Sequence, residues 1–132
     1  MMIRWFAARR RKKRQLELER ASNVVRVLFP EPIAFVAQEW IGVVNSMLHV
    51  SAEVWNAQSL ERRILAFKGM SPAFSEAENS FPVIRQKIDE SVTATGGSED
   101  EARAYVFDGI LAEALIAVGE DRNEVYSTLF PG

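Results

Sequence analysis

Apolar residues recur at helical spacing along most of this chain, most completely between Ser98 and Gly119, SEDEARAYVFDGILAEALIAVG. Val106, Ile110, Ala114 and Val118 fall at i, i+4, i+8 and i+12, with Phe107, Leu111 and Leu115 along the adjoining ridge. An apolar surface this wide predicts a helix at the centre of a core. Ser98 with Glu101 three residues on forms a capping box. Glu99, Asp100 and Glu101 lie at the positive end of the helix dipole, and Gly119 stands where a left-handed residue closes the helix. Gly109, Ala112, Ala114 and Ala117 leave room for close helix neighbours.

Before that segment, Leu18, Ala21, Val25 and Leu28 predict a helix over 15–28. Pro30 and Pro32 predict an extended turn, because proline disfavours helical geometry in the residue before it, and Pro32 suits the start of a second helix. That helix, over 32–50, carries Ile33, Val36, Trp40, Val44 and Met47 on one side, widened by Ile41 and Leu48. Gln38, Gly42, Asn45 and His49 read as its solvated side or as the rim of a partner groove. Ser51 is a candidate N-cap for a third helix over 52–68, with Ala57, Leu60, Ile64 and Phe67 inward. Ser71 and Pro72 start another, with Ser75 and Glu78 as a second capping box. Pro82 divides it from a further helix ending near Ser91. VTATGGSED reads as a flexible connection, and Asp121 with Glu124 predicts a last short helix through Leu129.

No segment alternates like a half-buried strand, and no repeat is visible. The expected fold is therefore all-α, a compact single-domain bundle of five to seven helices with a basic N-terminal arm. Residues 1–14 are the arm, flexible or the start of the first helix, and residues 15–132 the single helical domain.

Composition changes this picture little. At 132 residues, 48% hydrophobic and 26% charged, the chain is long enough for one core. Without cysteine it has no disulfide, thiolate metal site or cysteine nucleophile. Charge changes it more, because the net charge of -2 conceals an asymmetry. Arg4, Arg9, Arg10, Arg11, Lys12, Lys13 and Arg14 occupy the first fourteen residues with no acid among them, leaving nine basic residues against eighteen acids in the remainder. Between Asp89 and Glu124 the acids face only Arg103 and Arg122, so one basic and one acidic pole are expected.

No uninterrupted apolar run reaches the roughly 20 residues that span a bilayer, so no transmembrane helix is expected. The start, with its apolar residues ahead of the basic cluster, lacks the order of a secretory signal, and a cytoplasmic location is the expectation.

Candidate chemistry is sparse. His49 is the only histidine; with Glu53 it supplies two ligands, short of a metal site, and the paired Glu-x-x-His motifs of a helical di-iron centre are impossible. No nucleophile elbow or phosphate-cradling loop occurs, since the glycines at 96 and 97 precede acids. Asp108 and Glu113, in the most apolar helix, are the carboxylates through which acid/base chemistry would run if buried in a pocket. Over 52–68, Arg62, Arg63 and Lys68 are offset by Glu53 and Glu61, a poor groove-reading face. Trp40 and Trp55 are expected in the core.

The reading reached is a non-enzymatic helical binding or adaptor protein, tethered by its polybasic arm to an anionic surface, either a membrane face or a protein complex. Arg4, Trp5, Phe6 and Arg9 to Arg14 are the contact residues, with an apolar tip beside the charges. The alternative is a nucleic-acid-binding accessory protein using the same arm, and the third a small carboxylate enzyme. A protein partner is expected; no cofactor, metal or small-molecule substrate is.

Overall fold

Helix α6, Glu99–Ala117, is buried at every residue from Gly109 to Leu115, and α1, α2, α5 and α7 all pack on it. The structure is a computed structural model that describes residues 2–131, with side chains described from Arg10 onward. Around α6 stand α1 (Met2–Leu28), α2 (Pro30–Ala57), α3 (Leu60–Met70), α4 (Ala73–Ser80), α5 (Pro82–Thr95) and α7 (Arg122–Leu129). The fold is an all-helical single domain, with no strand among the described residues.

The ends of α6 follow from its sequence. Ser98 Oγ accepts from Glu101 N at 3.1 Å. At the far end Gly119, at φ +105°, lets Gly119 N reach Ile116 O and Glu120 N reach Leu115 O, so two of the last carbonyls keep partners. Asp121 likewise caps α7 through Glu124 N at 3.0 Å.

Helix α2 doubles back at Ser51, whose backbone is extended and whose Oγ accepts from Val54 N. The rings of Trp40 and Trp55 lie 6.2 Å apart, whereas fifteen residues of straight helix would separate them by about 22 Å. Both are buried, and Trp40 meets Phe67 edge-on. By length and composition α2 is nonetheless apolar enough to cross a membrane, which the count of uninterrupted apolar residues missed; about a fifth of its most apolar window is buried.

Several expected details are corrected. Only Phe29 separates α1 from α2, because Phe29 N and Ile33 N continue the hydrogen-bond ladder across it and proline itself opens α2 at residue 30. Ile41 and Leu48 are exposed rather than inward, since among the described residues no helix covers that side of α2. The expected helix over 52–68 breaks at Gln58, and Ser59 caps the new helix α3 by accepting from Arg62 N. Helix α4 starts at Ala73, after Ser71 and Pro72 as expected and with Ser71 Oγ accepting from Ala73 N at 3.2 Å, but Glu78 pairs with Arg103 instead of closing a box with Ser75. The threonines of VTATGG continue α5 to Thr95, with the hydroxyls of Thr93 and Thr95 bonded to the carbonyls of Asp89 and Ser91.

The acidic pole is also partly neutralised. Lys68 reaches Asp108 at 3.1 Å and Arg63 reaches Glu120 at 2.7 Å, both from α3. Arg85 bridges Asp89 and Glu99, and Arg103 joins Glu78, Glu99 and Asp100. These pairs hold Glu99 below the usual carboxylate range, chiefly through the hydrogen bond from Arg85.

Candidate functional site

The residues expected to meet an anionic surface divide into two sets. The side chains of Arg4, Trp5, Phe6 and Arg9 lie outside those described. Arg10, Arg11, Lys12, Lys13 and Arg14 are exposed on the first half of α1. Five consecutive residues at 100° steps point around the whole helix, so their charge is not confined to one face. Among the described residues no carboxylate comes within ion-pairing distance of any of the five. Arg14 is anchored differently: its Nη2 donates to the carbonyl of Phe130 at 2.9 Å.

Downstream, α1 docks through a position that apolar patterning passed over. Leu18 and Val25 are half-buried as expected, but Ala21 is exposed and the fully buried residue is Ser22. Its hydroxyl donates to Glu113 Oε1 at 2.8 Å, while the Tyr126 hydroxyl donates to Glu113 Oε2. Arg26 Nε lies 3.5 Å from the same carboxylate, at the solvent edge. A buried anion is tolerable only when hydrogen-bonded and paired, and these neighbours supply both conditions. Burial, and then the bond to Glu113, push the Tyr126 phenol well above its ordinary range.

Beside this cluster a half-open cleft of about 560 Å³ lies between α1 and the helices α5, α6 and α7. Its walls are mostly aliphatic and aromatic, and its charged lining is Arg14, Glu17 and Lys87. Neither Asp108 nor Glu113 lines it. Asp108 is engaged by Lys68, and both oxygens of Glu113 accept hydrogen bonds, so the two carboxylates singled out by sequence are placed as interhelical ties. His49 is exposed, and no cluster of three metal-ligating side chains occurs among the described residues. The cleft itself left no trace in the periodicity, because its walls come from four helices far apart in the chain.

Compared with models of known families, with curated proteins and with solved structures, the chain matches none.

Proposed function

We propose that this protein is a non-enzymatic helical binding protein, held at an anionic surface by the basic first half of α1. The surface is a membrane face on the cytoplasmic side, or a protein complex there. The observation that carries the reading is the contrast in pairing. Arg10 to Lys13 are exposed without a carboxylate partner among the described residues, whereas Arg63, Lys68, Arg85 and Arg103 each engage acids of the body. Cations that the fold leaves solvated retain their full attraction for an external polyanion. That attraction amounts to about 1 kcal/mol per basic residue near an anionic bilayer and is weakened by salt.

Replacing Arg10, Arg11, Lys12 and Lys13 together by Gln tests this while leaving Arg14 on Phe130. Sedimentation with anionic vesicles at low salt should weaken by roughly a thousandfold, four charges at about 1 kcal/mol each, with the helical signal unchanged. Equal sedimentation of parent and variant would sink the tether. Binding of a short duplex in place of vesicles would transfer the arm to the nucleic-acid reading.

A further inference from the structure

The cleft between α1 and α5 to α7 has a size, a lining and a charge that together specify a ligand. Its volume of about 560 Å³ lies within the range of small-molecule sites. Its mostly apolar walls with a few charged residues suit one alkyl chain carrying a small charged head.

The lining is mostly apolar and carries a net positive charge. Leu18, Val25, Leu28, Phe29 and Val106 give the walls, and Gly109 gives a floor without a side chain, where a Cβ would stand 3.5 Å from Val25 Cγ2. Arg14 is steadied by one bond to Phe130 O, which leaves the rest of its five guanidinium donors for another acceptor. Lys87 adds a second cation whose nearest acid, Glu90, is 3.8 Å away. Among the described residues Glu17 is the one acid in the lining, and Arg10 and Arg11 lie about one turn from Arg14 along α1. Glu113, behind the wall, is balanced by Ser22, Tyr126 and Arg26 and contributes no unpaired negative charge.

We propose that this cleft binds a single-chain amphiphile with a monoanionic head, of the fatty-acid class, its chain along Leu18, Val25, Phe29 and Val106 and its head at Arg14 and Lys87. The inference goes beyond the surface tether and does not depend on it.

Calorimetric titration of the full chain with tetradecanoate, below its micellar concentration, tests the site. Saturable binding of one molecule per chain is expected, with chain-matched tetradecyltrimethylammonium at least tenfold weaker. Ala21→Trp, which places a large side chain at the exposed lip of the cleft, should abolish binding. Arg14→Gln with Lys87→Gln, two substitutions at the rim, should weaken tetradecanoate at least tenfold, and this pair decides the matter if Ala21→Trp loses its helical signal. No saturable binding of tetradecanoate, equal binding of the cationic probe, or full affinity in the folded Ala21→Trp protein each overturns the proposal. The Ala21→Trp protein keeps every cation of α1 and should still sediment with anionic vesicles, so loss of ligand without loss of sedimentation distinguishes the cleft from the tether.

Discussion

Ser22 on α1 donates a hydrogen bond of 2.8 Å to Glu113 on α6 across 91 residues of sequence. The bond joins the two most fully buried polar side chains of the core, and Tyr126 closes the same carboxylate from α7. One anion therefore fixes three helices.

Removing that anion should be costly. Glu113→Ala leaves the Ser22 and Tyr126 hydroxyls buried without an acceptor, at about 1–3 kcal/mol for each unsatisfied group. Glu113→Gln keeps one acceptor oxygen and should lose less. Urea unfolding midpoints at constant slope measure both; equal stability of Glu113→Ala and the parent would show that the cluster ties nothing together.

Tyr126 gives the cluster a pH signature. Its folded phenol lies above the unfolded value of 10.0, so its contribution is complete below about pH 10 and is lost as pH rises towards the folded value. Native protein should accordingly form less tyrosinate than denatured protein between about pH 10 and 12. Tyr126→Phe should shrink that difference and flatten the alkaline loss of stability, read by absorbance titration and by melting at each pH.

Burial predicts opposite outcomes for two aliphatic residues that patterning had treated alike. Leu111, fully buried on α6, should cost about 2–5 kcal/mol on replacement by Ala. Ile41, exposed on α2, should change stability by no more than about 0.5 kcal/mol. Similar losses at both positions would mean that the outer face of α2 is covered in solution.

Gly119→Ala isolates backbone strain from packing. Among the described residues nothing lies within 4 Å of the added Cβ, yet the residue sits at φ +105°. A loss of about 1–3 kcal/mol is expected from conformation alone, and an unchanged denaturation midpoint would contradict the closing geometry of α6.

The elements legible in the sequence were those whose signals are local. Ser98, Asp121 and Gly119 act on backbone groups within a few residues, and Ser51 marks its reversal in the same way. Ser22 was hidden because its reason for burial is a carboxylate from another helix, invisible to periodicity. Thr93 and Thr95 resembled a turn because threonine hydroxyls bond nearby backbone in turns and helices alike. The exposure of Ile41 and Leu48 depends on where the bundle stops, which an apolar stripe does not encode. At the candidate site the exposed cations Arg10 to Arg14 were plain from composition, while the cleft required the relative placement of α1, α5, α6 and α7.

The central position of α6 also imposes an order on biosynthesis. A ribosome adding about 5–20 residues per second makes α1 some 5–20 seconds before Glu113 exists to receive Ser22. Once clear of the ribosome, Leu18, Val25 and the arm's cations are displayed together on a nascent segment whose docking surface has not been translated. Under the proposed tether, capture of α1 by an anionic surface during this window precedes closure of the core.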